Sequence, residues 1–165
     1  MITRTAKLLL LAAIALFYTF VVINNTTDFD SNYQFVRHVL MMDSTFPGNK
    51  AMWRALNAPF FHLSFYFSII VWETLTMILA WWGSIQLLRN LRKPAAEFNA
   101  AKRIPILVLT LGMLMWMVAF LTVGAEWFLM WQSHTWNGQE AAFRMFVVLA
   151  IVLIVMMQPD REEQV

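Results

Sequence analysis

The 165-residue chain is 60% hydrophobic and only 13% charged, whereas soluble domains average about 45–50% apolar and about 25% charged residues. This composition indicates a membrane protein and excludes a large water-surrounded core. The net charge of +2 is too small to indicate a nucleic-acid partner, and the absence of cysteine excludes disulfides, thiol redox chemistry and cysteine-ligated metals.

The first predicted element is a membrane span at residues 7–24. Arg4 and Lys7 precede the apolar run LLLLAAIALFYTFVVI, which is just long enough to cross a bilayer when flanking residues are counted. A basic start followed by an apolar run also describes a signal peptide. Cleavage after Ala15 would leave too short an apolar core, so we expect the span to be retained.

A polar segment, residues 25–58, follows the first span and is long enough to contain structure of its own. Its apolar residues recur at helical spacing over residues 31–42, and Ser31 with Gln34 has the spacing of a capping box. A second short helix is predicted over residues 50–56. We therefore expect a small helical cap on one end of the protein.

Three further apolar runs predict membrane spans at about residues 59–88, 105–131 and 142–158. Pro59 and Pro105 each open a run, where the missing N–H of proline costs no hydrogen bond. As a helix the first of these runs is about 45 Å long, which exceeds the roughly 30 Å hydrocarbon layer, so it must tilt or protrude. The predicted fold is an all-α membrane protein: an antiparallel bundle of four transmembrane helices with a helical extracytoplasmic cap between spans 1 and 2.

Basic residues indicate how the spans are oriented. One side carries Arg4, Lys7, Arg89, Arg92, Lys93, Lys102, Arg103 and Arg161, and the other carries Arg37, Lys50, Arg54 and Arg144. Short loops rich in Lys and Arg remain in the cytoplasm. We therefore expect a multi-pass protein of a bacterial inner membrane with both termini and the loop 89–104 in the cytoplasm and the cap in the periplasm.

Candidate functional residues gather in two places. Glu73 lies near the middle of span 2, where an ionisable side chain costs about 3 kcal/mol on insertion scales. It is either a functional group or a protonated acid that hydrogen-bonds a neighbouring helix. The other candidates lie in the cap and in the turn between spans 3 and 4: Asn32, His38, Asp43, Arg54, Glu126, Trp127, Trp131, Gln132, His134, Trp136, Asn137 and Arg144. Tryptophans at this depth are also typical of an interfacial belt.

Two ion pairs compete near the turn between spans 3 and 4. Glu126 and Arg144 lie equally far along the chain from Thr135, so a hairpin would place them at similar depth. Glu140, one helical turn before Arg144, is the alternative partner. With either partner, Arg144 is predicted to have a mainly structural role.

No cofactor, metal site or enzyme activity is predicted. The three histidines have no ligand spacing, and only His62 lies in a span. Met115 lies two residues from both Met113 and Met117 and so does not share a helix face with either. The sequence contains no Gly-rich phosphate loop, nucleophile elbow or HExxH motif.

Two sequence blocks carry a family resemblance. The block EWFLMWQS at residues 126–133 with Trp136-Asn137-Gly138, and NYQFVRHVL at residues 32–40, resemble a bacterial family of predicted small integral membrane proteins with no assigned function. The resemblance spans nearly the whole chain and implies a four-span inner-membrane protein. It supplies no substrate, cofactor or catalytic residue.

These observations predict a non-enzymatic protein that contacts another membrane or periplasmic protein through its Trp-rich cap. Membrane lipid and a second copy of the chain are further expected partners. An alternative is a binder or carrier of a small amphiphile, a quinone or a lipid, held by the tryptophans near Glu126 and His134. A weaker alternative is an ion or proton pathway through Glu73.

Overall fold

The computed structural model describes residues 1–161, and over this range the chain is helical with short connections. Four helical segments in this range are long and apolar enough to cross a membrane: Ile2–Thr27, Pro59–Arg89, Ala95–Trp127 and Gln139–Met157. The predicted all-α, four-span fold is confirmed.

The helices are named here in chain order. They are α1 (Ile2–Thr27), α2 (Phe29–Met41), α3 (Pro59–Arg89), α4 (Ala95–Ala101), α5 (Arg103–Leu114) and α6 (Gln139–Met157). A π-helix over Met115–Trp127 continues α5, and 3₁₀ turns at Met52–Arg54 and Met130–Gln132 lie in the connections. Pro59 occupies the first turn of α3, where it needs no hydrogen-bond donor.

Several local details differ from the sequence prediction. Helix α2 begins at Phe29 rather than at Ser31, and the Ser31 hydroxyl donates to the Asp28 side chain at 2.9 Å instead of forming a capping box. The second predicted cap helix is only a 3₁₀ turn. The third span is preceded by α4, so that Pro105 lies in the first turn of α5 rather than at the start of the helical path.

The four long helices form a closed ring. Helix α1 packs on α3, α3 on α5, α5 and the π-helix on α6, and α6 on α1. Residues 1–7 and the end of α6 lie at one end of this ring, which we call the terminal end. The residues of α2 and of the Met130–Gln132 turn cover the opposite end, which we call the cap end.

Two separate clusters of buried side chains fill the protein. The larger cluster lies toward the terminal end and contains Leu11, Ile14, Ala15, Tyr18, Ala80, Leu87, Phe98, Val108, Leu109, Leu149, Val152 and Met156. The smaller cluster joins α2 to the end of the third span and contains Val39, Leu40, Met42, Ala125, Phe128 and Met130. The spaces described below lie between the two clusters.

Gly112 brings the helices of the larger cluster close together. A Cβ atom at this position would lie 2.7 Å from the Tyr18 hydroxyl and 2.9 Å from Cδ1 of Leu149. Only glycine therefore allows α1, α5 and α6 to approach this closely.

Candidate functional site

Glu73 is the central residue of the candidate site. It lies in the middle of α3 with 3% of its surface exposed. Asn25 Nδ2 in the last turn of α1 donates to Glu73 Oε2 at 2.6 Å, and the Tyr66 hydroxyl donates to the Asn25 carbonyl at 3.0 Å. The second carboxyl oxygen of Glu73, Oε1, has no hydrogen-bond partner within residues 1–161 but is not sealed from open space.

The carboxyl group borders a cavity of about 280 Å³ between α1, α2, α3, the π-helix and α6. We call it the polar cavity; its lining residues are Val21, Asn25, Asn32, Phe35, Val36, Tyr66, Ile69, Glu73, Trp116, Phe120, Gly138 and Ala141. The fold therefore brings Asn32, predicted in the cap, to the same cavity as Glu73, predicted in a span. Asn25, which positions Glu73, was not among the predicted residues.

A second space of about 220 Å³ adjoins the polar cavity, and we call it the apolar crevice. The two share Phe35, Val36, Ile69 and Phe120. The rest of the crevice is lined by Val39, Leu40, Phe65, Ser68, Trp72, Met115, Val118, Ala119, Val123, Gly124, Phe128 and Met130. Because Phe65, Trp72 and Val118 are exposed, the crevice opens onto the lipid-facing surface between α3 and the π-helix.

The π-helix forms one wall of both spaces. Its wider turn is visible in the Phe128 N–H, which donates to the Val123 carbonyl five residues earlier at 3.0 Å. The Thr122 hydroxyl likewise donates to the Met117 carbonyl at 2.8 Å. Such segments are rare and frequently mark functional sites. The hydropathy pattern gave no signal of it, since the segment MWMVAFLTVGAEW is apolar on nearly every side and shows no clear period.

The cap, residues 28–58 and 128–138, is joined by contacts between its two segments. Ser44 donates to Ser133 through their hydroxyls at 2.7 Å, and Gln132 Oε1 accepts from the backbone N–H of Phe46 at 3.1 Å. The expectation that these two polar segments lie together is therefore met by the contacts between them.

A hydrogen bond and a ring stack hold the cap together. His38 Nδ1 lies 2.6 Å from Asp43 Oδ2, and the His38 ring stacks on Trp136 with centroids 4.6 Å apart. His38, Asp43 and Trp136 are all predicted candidates, and here their partners are other cap residues.

The cap also carries an exposed aromatic face, formed by Trp53 and Trp127 around Arg54. The Arg54 guanidinium lies 4.7 Å from the ring of Trp127 and 5.3 Å from that of Trp53. Its Nη1 also donates to the Trp127 carbonyl at 3.3 Å. Trp53 and Trp127 remain 72% and 48% exposed, and Trp131 packs its ring edge-on to Phe46 at 5.7 Å.

The remaining predicted residues are not brought together. Within residues 1–161, Glu126 forms no ion pair with Arg144, and neither does Glu140. All three are exposed. His134 is also exposed, and it is not among the lining residues of the cavity that contains Glu126. Asn137 accepts a hydrogen bond from the Gln139 N–H at 3.0 Å and so helps to start α6.

A buried ionic cluster at the terminal end was missed entirely. Lys7 Nζ lies 2.6 Å from Asp160 Oδ2, and Lys102 Nζ bonds the same oxygen. Both ammonium groups also donate to the Gln158 carbonyl, at 2.6 and 2.7 Å. Burial would raise the pKa of Asp160, but the hydrogen bonds from Lys102 and Lys7 outweigh it and lower the pKa below its usual value.

The cluster lines neither the polar cavity nor the apolar crevice, and its role is to join the two ends of the chain to Lys102. Arg4 extends it by donating to the carbonyls of Leu91 and Lys93 at 3.3 and 2.6 Å. The sequence analysis used these cations only as markers of orientation, and Asp160 on a short charged tail gave no signal of burial. In the part of the chain that the structure describes, no group of three or more His, Asp and Glu is placed to hold a metal ion.

Comparison with known proteins identifies a family. Residues 3–159 match the profile of a family described as predicted small integral membrane protein (DUF2165). No curated protein and no solved structure matches significantly.

Proposed function

The chain belongs to this family of small integral membrane proteins, and from that premise we propose that it binds a membrane amphiphile. The head of the ligand lies in the polar cavity and its tail in the apolar crevice. The observation that carries the proposal is that the two spaces adjoin and share four lining residues. A mainly apolar chamber that holds a few polar groups, with an apolar exit toward lipid, matches a molecule with a small polar head and an apolar tail.

The energetics of the two spaces support a ligand. An acceptor at membrane depth is stabilised by a hydrogen bond and is costly without one, and Glu73 Oε1 borders the polar cavity without a partner in the described chain. An unfilled apolar space also forfeits packing energy. A bound amphiphile offsets both costs, because its head pairs with the carboxyl group and its tail fills the crevice.

The charge distribution supports a proposal for the orientation of the chain. We place the protein in a bacterial inner membrane, with the terminal end in the cytoplasm and the cap in the periplasm, because basic residues are concentrated at the terminal end. A tag on either terminus should then be inaccessible from outside intact cells and accessible after the membrane is opened. A terminal tag that is accessible from outside would contradict this orientation.

Extraction of the purified protein tests the proposal. Protein isolated in mild detergent should release one amphiphile in stoichiometric amount on organic extraction and mass analysis. Ala119→Trp, which places a large side chain in the crevice, should abolish this release. Ala13→Trp makes the same change at an exposed position of α1 and is the matched control. If no amphiphile is recovered from wild type, and added quinones and lipids fail to bind, the proposal is wrong.

A second candidate function is contact with another membrane or periplasmic protein through the cap. The observation in its favour is the exposed arrangement of Trp53, Arg54 and Trp127. Tryptophan and arginine are enriched at the energetic centres of protein interfaces. An interfacial belt explains the two tryptophans alone, but it does not require a guanidinium held between them.

Photo-crosslinking in intact cells distinguishes these readings of the cap. A crosslinker placed at the exposed Met52 should trap one defined protein, and Trp53→Ala with Trp127→Ala should abolish the product. Trp82→Ala, at a 58% exposed tryptophan outside the cap, should not. Crosslinks to lipid alone would contradict the protein-contact function.

The ion or proton pathway through Glu73 stays a prediction. A liposome flux that is unchanged by Glu73→Gln would contradict it.

A further inference from the structure

We infer that the head of the ligand is a hydroxylated aromatic ring, as in an alkylphenol or a quinol, which donates a hydrogen bond to Glu73. This inference rests on the proposed amphiphile-binding function and specifies the chemical class of its ligand. It is argued from three properties of the polar cavity: the pairing of the carboxyl group, the charge of the lining and the shape of the walls.

The pairing of Glu73 calls for a donor on the ligand. Asn25 Nδ2 already occupies Oε2 at 2.6 Å, while Oε1 has no partner in the described chain. A carboxylate oxygen accepts hydrogen bonds, and a protonated carboxyl group can also donate one. A hydroxyl group on the ligand can pair with Oε1 in either state, whereas an ether or ester oxygen cannot donate to the carboxylate.

The charge of the lining excludes an anionic head. The twelve lining residues of the polar cavity include the Glu73 carboxyl group but no Lys or Arg. A phosphate would therefore be buried beside an acid without a compensating cation, and an unpaired buried charge is strongly unfavourable. This property separates the ligand from the anionic phospholipids that surround the protein.

The walls favour a flat ring. Four aromatic side chains line the polar cavity: Phe35, Tyr66, Trp116 and Phe120. The rings of Phe35 and Phe120 are stacked with centroids 6.3 Å apart, and Trp116 lies 4.8 Å from Phe120. Aromatic groups pack on one another in offset or edge-on arrangements that contribute beyond the buried area. A branched glycerol head would not use these surfaces.

The crevice provides the route for the tail. It opens between α3 and the π-helix, and Trp72 holds one edge of the opening by donating from Nε1 to the Leu111 carbonyl at 3.1 Å. A ligand dissolved in the bilayer can therefore enter sideways, with its ring leading toward Glu73 and its alkyl chain remaining in the crevice. No passage through water is required.

Two probes that differ only in one hydrogen-bond donor test the inference. 4-Nonylphenol and 4-nonylanisole share the ring and the chain, but the methyl ether of the anisole cannot donate. We expect the detergent-solubilised full chain to bind the phenol about tenfold more tightly than the anisole, measured by isothermal titration. Nonyl phosphate, with the same chain and an anionic head, should not bind measurably.

Variants locate the effect at Glu73. Glu73→Met keeps a side chain of similar length without the acceptor, so it should lower the affinity for the phenol to that for the anisole. Glu97→Met, at an exposed acid in α4, should leave both affinities unchanged. The comparison of the two probes on wild type needs no variant, so it holds even if Glu73→Met fails to fold.

The outcomes separate the two proposals. If no amphiphile binds to wild type in extraction or titration, the proposed function itself is wrong. If phenol and anisole bind equally, or if nonyl phosphate binds as tightly as the phenol, the amphiphile function stands and the inference about the head group is overturned. If Glu73→Met lowers the affinities for the phenol and the anisole equally, the inference is also overturned, because the carboxyl group would then maintain the shape of the cavity rather than bind the hydroxyl.

Discussion

The two ends of the bundle are built differently. At the terminal end, Lys7, Lys102 and Asp160 form a buried ionic cluster, and Gly112 lets the helices touch. Toward the cap end, the helices enclose two spaces, the third span becomes a π-helix, and Glu73 keeps one carboxyl oxygen unpaired in the described chain. This difference indicates that the contacts of the terminal end stabilise the fold. The cap half can therefore keep two spaces between its helices, although they reduce its packing.

Removing the acid of the ionic cluster should have the largest effect on stability. Asp160→Asn leaves the ammonium groups of Lys7 and Lys102 buried without a carboxylate. Loss of one partner of a buried ion pair costs about 3–5 kcal/mol. We expect a loss of this size in the free energy of unfolding, measured by titration of the detergent-solubilised protein with SDS.

Two controls accompany this measurement. Glu97→Gln neutralises an exposed acid in α4 and should change the free energy of unfolding by less than about 0.5 kcal/mol. Replacing the whole cluster, with Lys7→Met, Lys102→Met and Asp160→Leu together, should recover most of the stability, because no charge is then stranded. A loss below about 1 kcal/mol in Asp160→Asn would mean that the cluster is not a main source of stability.

The same residue predicts a pH dependence. The pKa of Asp160 is lowered in the fold, and an unperturbed aspartate has a pKa of about 3.9. A lowered pKa stabilises the fold fully above the unfolded value, and this contribution is lost as the pH falls through the folded value. Wild type and Asp160→Asn should therefore differ most at neutral pH and converge in acid, in SDS titrations at a series of pH values. If the difference in unfolding free energy between wild type and Asp160→Asn increases in acid, the predicted direction of the pH dependence is wrong.

The sequence was sufficient for the features that depend on composition and periodicity. The four spans follow from apolar length, and the start of α3 follows from Pro59. The meeting of the two cap segments was also expected, because both connect spans on the same side of the bundle. Glu73 was singled out by its depth alone, since an acid in an apolar run is costly.

The sequence was not sufficient for features that depend on which helices touch. Asn25 bonds Glu73 across 48 positions of the chain, and no spacing rule links the two. Asp160 meets Lys7 across 153 positions. The Glu126 and Arg144 hypothesis assumed a symmetrical hairpin, but the third span ends in a π-helix and a 3₁₀ turn, which removes that symmetry.

A smaller effect should come from overfilling the close helix contact. Gly112→Ala would place a Cβ atom 2.7 Å from the Tyr18 hydroxyl and 2.9 Å from Leu149, both of which belong to fully buried side chains. Overpacking of this kind costs about 1–3 kcal/mol, measured by the same SDS titration.

Gly138 offers a matched comparison beside the polar cavity. A Cβ atom there would lie 2.9 Å from Phe35 Cζ, but Phe35 borders both spaces and can move into them. Gly138→Ala should therefore cost less than Gly112→Ala. If the order is reversed, the cap half is packed as tightly as the terminal end.

The smallest effect on folding is expected at the residue proposed to bind the ligand. Glu73→Gln keeps the length of the side chain and an oxygen that accepts from Asn25, so the bond between α1 and α3 is retained. The neutral amide also removes the cost of an acid at membrane depth. We expect the free energy of unfolding to change by less than about 1 kcal/mol, with either sign, in SDS titration of ligand-free protein. A loss as large as that of Asp160→Asn would show that Glu73 supports the fold as the terminal cluster does, and the contrast between the two ends would not hold.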